Sequence, residues 1–162
     1  MVKVLYEDEI KLISECLKEL VAKSRSKCAL LIDSSGQLIS GEGDTSDIDS
    51  IAISSLAAGN FAATRELAKI LGENEFTLLF HEGKQENIHT SVVGSRTILM
   101  VIFDNTTPLG RVRLFVKQAH QKLEKIFIVT ESESRRQQKP TMEEGFLKAT
   151  ESKLDFGDWD KQ

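Results

Sequence analysis

Two cysteines, Cys16 and Cys28, are too few and too far apart to suggest a disulfide framework or a metal cluster, and no secretory leader precedes them. A reducing cytoplasm is therefore the expected setting. No apolar run approaches the roughly 20 residues that a membrane-crossing helix needs, so membrane insertion is not expected. Basic surplus is missing too. A formal net charge of -4 argues against a general nucleic-acid binder. The glycines of GEGDTS at residues 41–46 lack both the dinucleotide fingerprint and a P-loop lysine, and read as a flexible connection. His81 and His89 could approach each other on adjacent strands, but no third ligand follows at a fixed spacing, and they read as polar strand residues. Asp33 beside either histidine lacks the nucleophile or metal spacing that would complete an acid–base set. Neither cofactor, metal nor catalytic centre is expected.

What is present suits one compact domain with an appendage: 162 residues, 40% of them hydrophobic. Its dominant stretch is DIDSIAISSLAAGNFAATRELAKILG at residues 47–72. Asp47 or Asp49 can cap the first turn of a helix, Gly72 can close the last, and no proline intervenes. At 100° per residue, Ile53, Leu56, Ala57, Leu67, Ala68 and Leu71 share one side and form the expected core stripe. Ala52, Gly59, Ala63 and Ile70 lie on one flank. Ser55, Ala58, Ala62, Arg65, Glu66 and Lys69 point away from the core, with Ile51 above them. Much of this outside is Ala, Gly and Ser rather than the Lys and Glu of a solvated helix face. Small residues in rows let another backbone approach, although alanine is also simply the best helix former.

Around this helix the chain alternates. Residues 7–23 form an amphipathic helix with Ile10, Ile13, Leu17, Leu20 and Val21 buried. CALLI at 28–32 and QLIS at 37–40 flank the turn Asp33-Ser34-Ser35-Gly36, a hairpin with local bonding from Asp and Ser and positive φ from Gly. Strands follow at 76–82, 87–93 and 97–103, the last apolar enough to be central and covered on both faces. The strand at Phe76 is more apolar than a free edge tolerates, which suggests pairing with another chain. Pro108 opens a third helix, whose buried stripe is Leu109, Val112, Val116, Ala119, Leu123, Ile126 and Phe127. Arg111, Arg113, Lys117, His120, Lys122 and Lys125 make its outside basic, either to steer an acidic partner or for solubility.

The expected domains are therefore 1–130, a polar linker over 131–141 and an acidic tail over 142–162. Phe146, Leu147, Leu154, Phe156 and Trp159 punctuate that tail, as in a segment that orders on a partner or in a plain solvated tail. The element order implies an α+β fold: an α/β/α sandwich with a five-stranded antiparallel sheet, the long helix on one face and the terminal helices on the other.

Four segments carry a family resemblance: LLIDSSGQLIS at 30–40, SSLAAGNFAATRELAKILGENEF at 54–76, FHEG at 80–83 and VGSRTILMVIFDNTTPLGRVRL at 93–114. Together they resemble the Roadblock/LC7 family, and within it the bacterial MglB-type proteins that regulate a small Ras-like GTPase. The resemblance implies a homodimer with contacts through Ala52, Gly59, Ala63, Phe76 and Leu78. It leaves Ser55, Ala58, Ala62, Arg65, Glu66 and Lys69 as a platform for the GTPase. It further implies activation without a catalytic centre of the chain's own, by repositioning the GTPase's catalytic residues, with two copies to one GTPase. Arg65 is then a contact rather than an inserted arginine finger. The five apolar tail residues gain a docking role, and cell polarity, motility and placement at a cell pole are the implied setting. A Roadblock-type scaffold that recruits partners without stimulating hydrolysis is the alternative.

Overall fold

The structure is a computed structural model and describes residues 5–137. Three helices and five strands follow in the order α1 (Glu7–Ser24), β1 (Cys28–Asp33), β2 (Leu38–Gly43), α2 (Ser50–Leu71), β3 (Leu78–Glu82), β4 (Glu86–Val93), β5 (Thr97–Asp104) and α3 (Leu109–Gln137). The strands form one antiparallel sheet in the order β2-β1-β5-β4-β3. β5 is central, as its apolar run predicts, and only its last residue is exposed. The expected α/β/α sandwich is formed.

Alternation along the strands builds two cores, because successive side chains leave opposite faces of a sheet. On one face Ile13, Leu17 and Leu20 of α1 and Val112, Val116 and Leu123 of α3 meet Leu31, Leu99, Val101 and Phe103. On the other, Ala57 and Phe61 of α2 meet Leu30, Ile32, Ile98, Met100 and Ile102. Both cysteines are buried, and burial pushes the Cys28 thiol up to about 11. They serve as small core hydrophobes.

Local chemistry sets the ends of the elements. The Asp33 carboxylate accepts from the Ser35 amide at 3.0 Å and hydroxyl at 2.5 Å, and Gly36 turns the chain at φ +92°. At α2, Asp49 rather than Asp47 is the cap, accepting from the Ala52 amide at 3.0 Å, while Asp47 pairs with Lys27 at 3.0 Å. Gly72 closes the helix at φ +74°. At α3, Pro108 lies just before the helix, and its carbonyl accepts the Arg111 amide at 3.0 Å.

Three boundaries differ from the sequence reading. β2 extends through Gly41–Gly43, which pair with Leu30, Ala29 and Cys28, so the connection to α2 begins at Asp44. A Cβ at Gly43 would lie 2.5 Å from the Lys27 carbonyl oxygen, so the close ladder needs glycine where composition suggested a loop. β3 starts at Leu78, not Phe76, although Thr77 still accepts the Val92 amide at 3.0 Å. α3 runs on through Glu131–Gln137, where a linker was expected, because Glu, Arg and Gln favour helix and no Gly or Pro intervenes before Pro140. The chain divides into two units, Met1–Ile128 and Val129–Gln162, and the first holds the whole sheet. Among the described residues, no helix is long and apolar enough to cross a membrane.

Candidate functional site

α2 lies on its sheet at a different rotation from the one its periodicity suggests. Its buried residues are Ser54, Ala57, Phe61, Thr64 and Ala68. Leu56, Leu67 and Leu71, which the sequence reading assigns to the core, are 72%, 57% and 69% exposed. The shift is roughly 60° about the helix axis at 100° per residue. The sheet takes the smaller residues, and the larger aliphatics are left as a second apolar surface.

Two contacts orient the flanks. Asn60 Nδ2 lies 3.4 Å from His81 Nε2 on β3, so the side of α2 carrying Leu56 and Leu67 faces the β3 edge of the sheet. Gly36 in the β1–β2 turn lies against the opposite side, where a Cβ would sit 3.2 Å from Ser55 Cα and 3.6 Å from Ala58 Cβ. One flank therefore looks to the sheet edge. The other looks to the strand turns.

The edge flank gathers Ala52, Leu56, Gly59, Ala63, Leu67 and Ile70, all exposed, with Ile70 at 80%. Nothing lies within 4 Å of a Cβ built at Gly59, so the middle of this row is open to a close neighbour. β3 is the last strand in the sheet order, and its Leu78 is 42% exposed. Phe76, half-buried, precedes that strand. Three of the expected dimer-contact residues, Ala52, Gly59 and Ala63, are thus exposed on this flank, while Leu78 is exposed at the same sheet edge but shares the opposite face with Phe80. Leu56 and Leu67 belong to this row, although their spacing predicts a place in the core.

On the turn flank, Ala58, Ala62 and Arg65 line a cleft of about 120 Å³ together with Ser34, Phe61, Val92, Ser95, Arg96, Thr97 and Ile98. The β1–β2 and β4–β5 turns meet here because β1 and β5 run antiparallel, and the Ser34 amide donates to the Arg96 carbonyl at 2.8 Å. Burial works to raise the Asp33 pKa, but the Ser35 hydroxyl, the Ser35 and Ser34 amides and the Arg96 guanidinium outweigh it and hold the carboxyl below its ordinary value. Ser34, Ser95 and Arg96 were not foreseen. Of the remaining platform residues, Ser55 bonds back to the Ile51 carbonyl at 3.2 Å, and Glu66 pairs with Lys69 at 2.7 Å on the outward ridge.

The histidines do not come together. Register pairs His81 with Ile88 and Phe80 with His89, which places the two rings on opposite faces of the sheet. His89 is 1% exposed, and its pKa falls to about 4, first through burial and then through Arg113 and His120. Among the described residues, no group of three or more His, Cys, Asp and Glu could hold a metal ion.

The basic side of α3 is partly committed to α1. Arg111 Nε donates to the Lys23 carbonyl at 2.9 Å, and Lys122 pairs with Glu19. His120 is half-buried against Ser91 at 2.8 Å, not exposed as expected, because the sheet below it offers a polar strand. Phe146, Leu147, Leu154, Phe156 and Trp159 lie outside the described residues.

Residues 12–103 match the Roadblock/LC7 domain. The chain belongs to the Roadblock/LC7 family. The matched segment contains both flanks of α2, the β3 edge and the turn cleft, so the features just described belong to the Roadblock/LC7 domain itself. Among solved structures, the chain is similar to Myxococcus xanthus MglB, with 46% identity over 78% of this chain and 96% of that one, and a TM-score of 0.75. It is also similar to the gliding protein MglB of Thermus thermophilus, with 33% identity over 76% and 93% of the two chains and a TM-score of 0.71. An MglB with a tetrameric arrangement shows 32% identity over 78% and 96%, with a TM-score of 0.74. Among curated proteins, none matches the chain.

Proposed function

We propose that this Roadblock/LC7 protein is a homodimeric activator of a small Ras-like GTPase of the MglA type. Two copies engage one GTPase near its switch regions and reposition its own catalytic residues. The chain contributes no catalytic centre and no arginine finger, and acts in the cytoplasm, at a cell pole. The observation that carries this reading is that α2 exposes two distinct surfaces on opposite flanks, an aliphatic row toward the sheet edge and a small-residue row toward the turns. A monomer has no use for the first, since exposed Leu and Ile in one contiguous patch mark an interface. A second copy on that flank leaves the second surface available to a different partner. The similarity to MglB proteins supports the choice of partner class.

Single-turnover GTP hydrolysis by the MglA-type GTPase of the same organism tests it. Adding this protein is expected to raise the rate at least about tenfold, or ~1.4 kcal/mol in the barrier. Ala62→Arg places a long cation at the mouth of the turn cleft, where Ala62 is exposed, and is expected to return the rate to its basal value while leaving the protein folded and self-associated. Full activation by that variant would remove the α2 platform from the mechanism. Binding of the GTPase with no change in its rate would favour a scaffold that recruits without activating.

A further inference from the structure

We infer that β3, on the sheet face it shares with α1 and α3, takes an acidic amphipathic helix of a partner protein, seated beside α3 with its apolar stripe on Leu78 and Phe80 and its carboxylates against Arg113 and Lys117. This place lies across the sheet from α2 and is independent of the GTPase platform.

The helix layer on this face stops short of the sheet edge. Packed helix axes stand about 8–10 Å apart and neighbouring strands about 4.8 Å apart, so adjacent helices on a sheet are roughly two strands from each other. α3 lies over β5, where Val112 and Val116 meet Leu99, Val101 and Phe103. α1 reaches β2, two strands away, and its Ser14 hydroxyl donates to Glu42 there. Two strands the other way is β3, and among the described residues no helix covers it on this face. Leu78 is 42% exposed, and half-buried Phe80 stacks on Phe103 with ring centroids 6.3 Å apart. Register sets both on the α3 side, opposite Ser91 and His89, and Ser91 bonds His120 of α3 at 2.8 Å.

The wall beside that apolar floor is positive. On the flank of α3 toward α1, Arg111 donates to the Lys23 carbonyl and Lys122 pairs with Glu19. Arg113, Lys117 and His120 share the other flank, toward β4 and β3. His120 is held by Ser91, whereas Arg113 and Lys117 are exposed and have no hydrogen bond or ion pair among the described residues. Glu82 on β3 and Glu124 on α3 bound the positive stretch. Two unengaged cations beside a leucine and a phenylalanine are complementary to a helix that carries Asp or Glu along the border of an apolar stripe. A helix suits the place better than an extended strand, because it continues the layer that α1 and α3 begin.

The test uses the full-length protein and a fluorescein-labelled helical peptide of about 18 residues, with Leu at i, i+3, i+4 and i+7 and Glu on both borders of that stripe, against a counterpart with Lys for Glu. Fluorescence anisotropy at low and high ionic strength reads affinity, and amide shifts of the 15N-labelled protein read the place. The Glu peptide is expected to bind at least about tenfold more tightly than the Lys peptide at low salt, less so at high salt, with shifts at β3 and residues 113–120. Arg113→Glu with Lys117→Glu is expected to abolish the preference, Arg113→Lys with Lys117→Arg to keep it, and Leu78→Ser to weaken binding about fivefold. These side chains are exposed, and circular dichroism checks that the variants fold. Equal affinity for the two peptides, binding to neither, shifts confined to α2, or charge-reversed and Leu78→Ser variants within about twofold of wild type would each overturn the inference. A self-associated mass that is lost on charge reversal would overturn it too, and give the place to a second copy of the chain.

Discussion

Leu67→Asp is expected to yield a folded monomer. Leu67 is 57% exposed and stands in the aliphatic row with Leu56 and Ile70, so the sheet below loses no packing when it is replaced. In a symmetric pair of chains every such change occurs twice. Losing a buried leucine and desolvating a carboxylate costs about 3 kcal/mol at each site, or ~6 kcal/mol for the pair, which is more than about 10⁴-fold in the dissociation constant. Sedimentation velocity reads the mass, and circular dichroism reads the fold. Ala68→Asp supplies the contrast one residue on, since Ala68 is 0% exposed and a carboxylate there is expected to unfold the chain. A dimer that survives Leu67→Asp would move the self-contact elsewhere. A variant that unfolds would mean that the flank belongs to the core.

That contrast also marks where sequence periodicity stops being informative. Hydrophobic spacing reports every face that is buried in the working assembly, without saying which neighbour buries it. On α1 and α3 most of the stripe, including Leu17, Val116 and Leu123, falls inside as its spacing predicts, although Ile10, expected inside, is 42% exposed. α2 has two apolar faces. Leu56, Leu67 and Leu71 dominate the apolar sum by size, so the inferred stripe swings toward them and away from the small residues that the sheet accepts. The helix itself was readable from Asp49, Gly72 and the absence of proline, because caps act through local bonds. The Asp33–Gly36 turn was readable for the same reason.

The cleft was harder to foresee because three distant segments build it. Ala58, Ala62 and Arg65 were expected to act together, but Ser34, Ser95 and Arg96 come from two separate turns. Only the pairing of Asp33 with Thr97 in the β1–β5 ladder brings those turns to one end of the sheet. A strand order is a non-local property, and neither composition nor local spacing contains it. Gly41–Gly43 illustrates the converse, since a local rule for glycine predicts a loop where the ladder with β1 keeps a strand.

Acid is expected to destabilise the fold chiefly through His89 as pH falls below about 6.5. It is 1% exposed on β4, opposite Val101 of β5 and Phe80 of β3, and neither ring nitrogen has a hydrogen-bond partner. The ionisable groups bearing on it are Arg113 and His120 of α3, both of which disfavour a further positive charge. Its pKa of about 4 in the folded state lies below the roughly 6.5 of an unfolded histidine. Above about pH 6.5 the ring is neutral in both states, and the full stability is present. As pH falls from there toward about 4, the unfolded chain binds the proton first, and stability drops by an amount on the order of 3 kcal/mol. His120 is shifted in the same direction, chiefly by burial, and adds to the slope with the same sign. Urea unfolding of the Leu67→Asp background at a fixed protein concentration separates this effect from self-association. His89→Leu, close in volume and without polar atoms, is expected to flatten most of the pH profile and to raise stability in acid. Parallel profiles for the two proteins would place the acid sensitivity elsewhere, because His89→Leu removes the proton that His89 takes up and leaves every other titrating group in place.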